Sequence, residues 1–221
     1  MIRFFRLSGG GNDFLAQVEP DRELSPQEIR ALCRRGLSAG ADGFFQLRQL
    51  PGAIGMSYFN ADGYRAELCL NGTRCAVRLA AHLGWTAGEI EIETDAGRIS
   101  GKLLNDSSVA LDLPRPAHPQ QRDLSHDGEQ WAGWQITVGV PHFVLPWPES
   151  LATAPVATLG AELRHHELWG DTGANVNFVR FVDTHRLEIR TFERGVEAET
   201  LACGSGIMAC TATGVATDAL N

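Results

Sequence analysis

The chain reads Cys69-Leu70-Asn71-Gly72 in its first half and Cys203-Gly204-Ser205-Gly206 in its second half, so both stretches follow the pattern C-x-x-G. Each stretch comes just after acidic residues and just before an apolar segment with helical periodicity. This equivalent placement makes an internal duplication a better explanation than chance. We therefore predict two related halves, each built around one helix that a cysteine precedes.

The first half alternates short apolar strands with turns. The stretch Ser25-Pro26-Gln27-Glu28 is a capping box with proline at the first helical position, and it predicts a short helix to about residue 35. The central helix is predicted from residue 71 to about residue 83, where Gly84 closes it. The predicted strands cover residues 2–7, 14–18, 43–50, 54–60, 89–94, 97–104 and 108–113.

A change of composition marks the boundary between the halves. Residues 113–130 carry three prolines and are otherwise mostly polar, which is typical of a linker. We place the two domains at residues 1–116 and 117–221. In the second domain a helix follows Cys203, and the predicted strands before it cover residues 134–140, 142–145, 175–182 and 187–193.

The charge and the hydropathy of the chain exclude several classes of partner. A net charge of -8 argues against nonspecific binding to nucleic acid or to anionic membranes, because the long-range field repels both. No apolar run is long enough to cross a bilayer, and the N-terminal residues do not resemble a signal peptide. We expect a cytoplasmic protein with a small-molecule partner. The sequence does not decide between a monomer and a homodimer.

Neither a metal nor a cofactor is expected. The five cysteines are an odd number, none forms a C-x-x-C pair, and their spacing does not match a zinc site. The chain has a single lysine, Lys102, against eighteen arginines, and this lysine lies in an ordinary predicted strand. Lys102 is therefore a poor candidate for the Schiff base that a pyridoxal cofactor requires.

A cysteine at the start of a helix lies near unpaired backbone N–H groups and the positive end of the helix dipole. Both favour the thiolate, so we predict that the thiol pKa of Cys69 and of Cys203 falls toward neutrality. The same N–H groups bind an anion such as a carboxylate. Two such sites would hold one amino-acid carboxylate and place a sulfur on each face of its α-carbon, as inversion by proton transfer requires.

Cysteine is also common in protein cores, and we assign that role to Cys33, Cys75 and Cys210. Cys75 and Cys210 fall one or two turns inside their predicted helices, where free N–H groups do not assist them. For Cys69 and Cys203, spacing alone leaves a core role and a catalytic role equally open.

Five motifs occur in order along nearly the whole chain, and together they resemble the diaminopimelate epimerase family. The resemblance implies an α+β fold of two pseudo-symmetric domains, each a curled mixed or antiparallel sheet around a central helix, with the active site in the cleft between them. It implies an isomerase that uses neither metal nor pyridoxal. The motifs are Gly11-Asn12-Asp13-Phe14, Phe59-Asn60-Ala61-Asp62-Gly63, Cys69-Leu70-Asn71-Gly72-Thr73-Arg74-Cys75, Phe192-Glu193-Arg194-Gly195 and Glu199-Thr200-Leu201-Ala202-Cys203-Gly204-Ser205-Gly206.

The resemblance also implies roles for individual residues. It makes Cys69 and Cys203 the catalytic acid–base pair, and His142 and Glu193 match residues that hold the substrate amine and assist the thiols. From the sequence alone, a core histidine and a solvated pair of Glu193 with Arg194 are the alternatives. The residues implied to bind the substrate are Asn12, Asn60, Leu70, Asn71, Asn175, Glu193, Arg194, Gly204 and Ser205.

The chain departs from the family pattern at three points. Leu70 stands where the family has glycine, which adds bulk beside the predicted carboxylate site. Val140 stands where the family has asparagine, which removes a polar contact at the distal end of the substrate and can shift substrate choice. The chain ends at Asn221, so we expect either a truncated sequence or a naturally short homologue.

These observations leave three hypotheses. The first is interconversion of LL- and meso-diaminopimelate, a step of lysine and peptidoglycan biosynthesis. The second, which Leu70 and Val140 favour, is a racemase or epimerase of a different amino acid on the same fold. The third is a catalytically silent amino-acid-binding homologue.

Overall fold

The computed structural model describes residues 3–105 and 108–221. The chain divides into two compact units, Met1–Pro114 and Arg115–Asn221, which we call unit 1 and unit 2. Each unit is an α+β structure with its own sheet and its own helices.

Unit 1 contains one mixed sheet. Its strands are β1 (Phe5–Gly9), β2 (Asn12–Val18), β3 (Gly43–Leu50), β4 (Ala53–Asn60), β5 (Arg65–Ala66), β6 (Glu89–Thr94), β7 (Gly97–Asn105) and β8 (Ser108–Asp112). They pair in the order β1-β2-β3-β4-β6-β7-β8, and β5 pairs with β4. The pairs β2/β3 and β4/β6 are parallel, and the other pairs are antiparallel.

Two helices cover the faces of this sheet. Helix α1 (Pro26–Cys33) begins at the predicted capping box, in which Ser25 and Glu28 each accept a backbone N–H of the other. Helix α2 (Leu70–His82) packs against β1, β3, β4, β6, β7 and β8, so the sheet curls around it. Its apolar side chains join the inner face of the sheet in the main core of unit 1.

Unit 2 contains a second mixed sheet. Its strands are β9 (Gln120–His126), β10 (Glu129–Val138), β11 (Val140–Pro146), β12 (Asn175–Asp183), β13 (Arg186–Glu193) and β14 (Ala198–Thr200). They pair in the order β14-β13-β12-β11-β10-β9, with β11 and β12 parallel and the other neighbours antiparallel.

The helices of unit 2 lie on opposite faces of this sheet. Helix α3 (Val156–Arg164) packs in a core with Phe143 and Val176, whereas helix α4 (Gly204–Ala216) packs in a core with Val144 and Val179. Adjacent residues of a strand point to opposite faces, so the two cores are separated by the sheet. Two short 3₁₀ helices, Leu151–Thr153 and Glu167–Thr172, flank α3.

The two units repeat one pattern of strand pairing. From β1 to β5, successive strands pair antiparallel, parallel, antiparallel and antiparallel, and α2 follows β5. The series from β10 to β14 has the same four relations, and α4 follows β14. This repeat agrees with the internal duplication that the paired C-x-x-G stretches predict.

Most predicted elements are present, but the linker, helix α3 and the first strand differ from the prediction. The predicted linker over residues 113–130 is wrong beyond residue 119, because β9 and the start of β10 lie there; both are mostly polar and solvent-exposed, so they lack the apolar alternation of a strand. Helix α3 was not predicted. The first strand runs from Phe5 to Gly9 instead of 2–7, and Ile2 lies outside the described residues.

Within the two described stretches of the chain, no helix is both long enough and apolar enough to span a membrane.

Candidate functional site

Each unit places one cysteine at the N-cap of its central helix. Cys69 has extended backbone before α2, and its Sγ accepts the N–H of Gly72 at 3.4 Å. Cys203 has extended backbone before α4, and its Sγ accepts the N–H of Gly206 at 3.3 Å. The sulfur therefore takes the part that a serine or aspartate oxygen takes in an ordinary N-cap. Both thiols therefore lie at the N-terminal end of a helix, where the helix dipole is positive.

In unit 1, two of the predicted substrate-binding residues contact each other. Asn71 Nδ2 donates to Asn12 Oδ1 at 2.8 Å, and Arg74 donates to Asn71 Oδ1. Asn12 Nδ2 in turn donates to a carboxylate oxygen of Asp42 at 3.3 Å, and Arg35 holds the other oxygen of Asp42 at 2.8 Å. This chain of contacts sets the orientation of the Asn12 amide beside the start of α2.

The other two predicted positions of unit 1 lie at the ends of elements. Asn60 is the last residue of β4 and pairs with Gly43 across the sheet. Leu70 is the first residue of α2, and its side chain is buried. Leucine at this position leaves the backbone N–H in place while its bulk goes into the core.

In unit 2, Cys203 lies beside Glu193. The thiol hydrogen-bonds the Glu193 carboxylate, and Thr200 donates its hydroxyl to the same carboxylate. The Ser205 hydroxyl is 3.5 Å from Cys203 Sγ, and Gly204 is the first residue of α4. The fold thus brings together the residues of unit 2 that the sequence analysis assigned to acid–base chemistry and to carboxylate binding.

The protonation of Cys203 differs from the prediction. Burial raises the pKa of the thiol to about 12, and the charge of Glu193 adds to the increase. The hydrogen bonds from Ser205 and from the Gly206 N–H lower the pKa but do not outweigh burial. The expected fall toward neutrality is therefore wrong for Cys203, which is a protonated thiol at neutral pH. Burial likewise raises the pKa of the Glu193 carboxyl.

The remaining predicted residues of unit 2 are His142, Asn175 and Arg194, and the strand register pairs His142 with Asn175. His142 is fully buried on β11, and burial lowers its pKa to about 3, so the ring is neutral. Its Nδ1 lies 3.1 Å from Asn177 Nδ2. Asn175 Oδ1 accepts the backbone N–H of Arg194 at 2.7 Å, which holds the turn that carries Arg194.

Several residues near these sites were missed by the sequence analysis. They are Asp42, which orients Asn12; Arg74, which contacts Asn71; Asn177, which lies beside His142; Thr191, which donates to Asn177; and Thr200, which holds Glu193. A signal existed for Asn177, since it lies two residues after Asn175 in the same strand and therefore shares its face. Arg74 and Thr200 also had a signal, since both lie within motifs that carry the family resemblance and Arg74 follows Asn71 by one helical turn. Asp42 and Thr191 contact the site through tertiary structure alone.

The three other cysteines are buried, in agreement with their predicted core role. Desolvation raises the pKa of Cys33 to about 11 and that of Cys75 to about 12. Among residues 3–105 and 108–221, no cluster of three His, Cys, Asp or Glu side chains has an arrangement that could hold a metal ion.

The family model for diaminopimelate epimerase matches residues 4–116 and 135–221. The chain belongs to the diaminopimelate epimerase family. Two named relatives are the diaminopimelate epimerase of Aquifex aeolicus (strain VF5), 38% identical over 95% of this chain and 80% of the relative, and that of Hydrogenobaculum sp. (strain Y04AAS1), 36% identical over 93% of this chain and 79% of the relative. Membership of the diaminopimelate epimerase family makes the protein an isomerase.

Solved structures confirm the predicted fold of the diaminopimelate epimerase family. A probable proline racemase from Agrobacterium radiobacter K84 matches all of this chain and 79% of its own with a TM-score of 0.74 and 15% identity. A predicted epimerase from Pseudomonas aeruginosa matches 99% of this chain and 83% of its own with a TM-score of 0.70 and 15% identity. At these identities the likeness shows the fold alone.

Proposed function

We propose that this protein interconverts LL- and meso-diaminopimelate; the proposal is supported by relatives that are named diaminopimelate epimerase. In this proposal one of Cys69 and Cys203 removes the α-proton and the other returns a proton to the opposite face. No cofactor enters the reaction. The step belongs to lysine and peptidoglycan biosynthesis, and we place it in the cytoplasm.

The observation that carries the proposal is the pair of cysteine N-caps. Each sulfur accepts the N–H of the third residue of its helix. In α4 the two preceding N–H groups belong to Gly204 and Ser205, at the positive end of the helix dipole. Such groups bind a carboxylate and stabilise the negative charge that develops when the α-proton leaves.

The environment of Cys203 suggests how the acid is supplied. Because its pKa is about 12, Cys203 carries its proton at neutral pH and is ready to donate it. Glu193, which accepts the thiol hydrogen bond, can take that proton when the reaction runs in the opposite direction.

The polar groups of the substrate are proposed to be bound by Asn12, Asn60, Asn175 and Arg194.

Deuterium exchange tests the proposal directly. LL-diaminopimelate in D₂O is followed by proton NMR with the wild type, Cys69→Ala and Cys203→Ala. We expect exchange with the wild type and a loss of about 10²-fold or more in each variant, since general acid–base transfer contributes that much. Cys75→Ala is the matched control, because Cys75 is a buried cysteine of the same helix as Cys69. Undiminished exchange by Cys69→Ala would exclude the two-cysteine mechanism.

A different amino-acid substrate is the second candidate. The sequence motivates it with Leu70 and Val140, both departures from the family pattern. Because the Leu70 side chain is buried in the core, Val140 at the start of β11 is the departure that supports this candidate. The same exchange assay with a panel of single-centre amino acids separates the two functions. Faster exchange of any of these than of diaminopimelate would decide for the second candidate.

A further inference from the structure

Beneath the first turn of α4, three polar side chains form a buried cluster, which we call the polar trio: His142, Asn177 and Thr191. Asn177 Nδ2 lies 3.1 Å from His142 Nδ1 and donates to the carbonyl oxygen of Phe143 at 3.2 Å. The Thr191 hydroxyl donates to Asn177 Oδ1 at 3.1 Å. All three side chains are at most 3% exposed.

These contacts determine the orientation of the Asn177 amide. A carbonyl oxygen only accepts hydrogen bonds, so the amide atom that faces Phe143 must be the nitrogen. The same nitrogen then faces His142 Nδ1, which must accept the hydrogen bond and therefore carries no proton. A neutral imidazole has one N–H, so the proton lies on Nε2. Within the described part of the chain, this buried Nε2 has no hydrogen-bond partner.

The fold itself does not require polar residues at these positions. In unit 1 the register pairs Phe45 with Ala16 and Tyr58, and in unit 2 it pairs Asn177 with Val144 and Thr191. Phe14 lies two residues before Ala16, and His142 lies two residues before Val144. The polar trio therefore occupies the positions that three aromatic rings, Phe14, Phe45 and Tyr58, occupy in the core of unit 1.

The polar trio also touches the helix start that carries Cys203. A Cβ added at Gly206 would collide with Asn177 Oδ1 and would lie 3.2 Å from both Thr191 Oγ1 and Cys203 Sγ. Gly206 is the residue whose N–H caps Cys203. The equivalent glycine of unit 1, Gly72, meets the Tyr58 ring instead. The trio is thus part of the surroundings of Cys203.

From this geometry we propose that Asn177, held by Thr191, is a positioning residue that keeps His142 in its Nε2–H form. In that form His142 donates one hydrogen bond to an acceptor, such as the substrate carboxylate or a thiolate. It cannot bind the substrate ammonium, because Nε2 has no lone pair to offer and Nδ1 is occupied. Contact with the ammonium is left to Glu193. This inference rests on the proposed function and changes the role that resemblance implies for His142.

The protonation state is read directly by long-range proton–nitrogen NMR on protein labelled with ¹⁵N-histidine. The chain has seven histidines, so His142 is assigned as the signal that disappears in His142→Gln. We expect a neutral ring with its proton on Nε2 in the wild type at pH 7. A proton on Nδ1, or a doubly protonated ring, would overturn the proposal.

Asn177→Asp reverses the contact, because a carboxylate accepts a hydrogen bond and requires a proton on Nδ1. We expect the NMR signal to report N–H at Nδ1, and kcat to fall about 10- to 100-fold with a smaller change in KM, as for other orienting partners. A variant that folds but keeps the wild-type signal and rate would contradict the proposal.

A milder pair of variants covers the case in which Asn177→Asp does not fold. Thr191→Val removes the hydroxyl that holds Asn177, and we expect a mixture of ring forms and a reduced kcat, whereas Thr191→Ser restores both. Thr213→Val is the matched control, since the described residues offer no partner to this buried hydroxyl of α4. An unchanged ring in Thr191→Val, or an equal effect of Thr213→Val, would argue against the proposal.

The NMR measurement needs no substrate. If the wild type does not exchange the α-proton of diaminopimelate but His142 carries its proton on Nε2, the proposed function fails and the assignment of the ring form stands. If exchange occurs and the ring carries its proton on Nδ1, the further inference fails alone.

Discussion

At the scale of single residues, Glu193 and Cys203 control each other's protonation. The negative charge of Glu193 contributes to the high pKa of the thiol, and removing that charge favours the thiolate. We therefore expect Glu193→Gln to move the pH midpoint of Cys203 alkylation by iodoacetamide to lower pH, measured by mass spectrometry of the Cys203 peptide. The rate of α-proton exchange should fall at the same time, because glutamine cannot accept the thiol proton.

The matched control for this prediction is Glu188→Gln on the same strand, where the carboxylate pairs with Arg180 and Arg186. It should leave both the alkylation midpoint and the exchange rate unchanged. If Glu193→Gln leaves the midpoint where it is in the wild type, burial alone sets the pKa of Cys203.

At the scale of elements, α2 and α4 both begin after an extended cysteine N-cap, but different side chains pack beneath their first turns. A methyl group at Gly72 would make ordinary contacts, at 3.4 Å with Met56 and 3.5 Å with Tyr58, whereas one at Gly206 would collide with Asn177. We expect Gly206→Ala to lower the free energy of unfolding by about 1–3 kcal/mol, as overpacking does. Gly72→Ala should stay within about 1 kcal/mol of the wild type, with helix propensity in its favour. Urea unfolding of both variants checks this, and equal effects would contradict it.

At the scale of the whole molecule, residues 113–119 connect two compact units without belonging to any helix or strand. Exposed backbone outside regular structure is cut first by nonspecific proteases. We expect brief digestion with subtilisin to give two fragments of about half the chain each, located by mass spectrometry. Trypsin serves as the control and should leave residues 113–119 uncut, because the Arg115–Pro116 bond resists it. Early cuts inside either sheet would show that the units are less stable than their packing suggests.

Local patterns explain how much of the fold was predictable. The strands Gly43–Leu50 and Glu89–Thr94 have the predicted bounds, and the capping box at Ser25 begins a helix as expected. These features depend on neighbours in sequence, which is what a pattern contains. Strand β9 was missed because its own residues show no apolar alternation. It is a strand because its backbone pairs with β10 in the sheet.

The sequence by itself determined the family, the two cysteines that begin helices, and the repeated architecture, because spacing and local capping are encoded in short stretches. Only the tertiary structure decided the states of the reactive groups. Burial makes Cys203 a thiol instead of a thiolate. Asn177, which comes from a neighbouring strand and is held by Thr191 of the next one, determines which nitrogen of His142 carries the proton. Such states depend on desolvation and on partners that are distant in the chain, and no local pattern contains either.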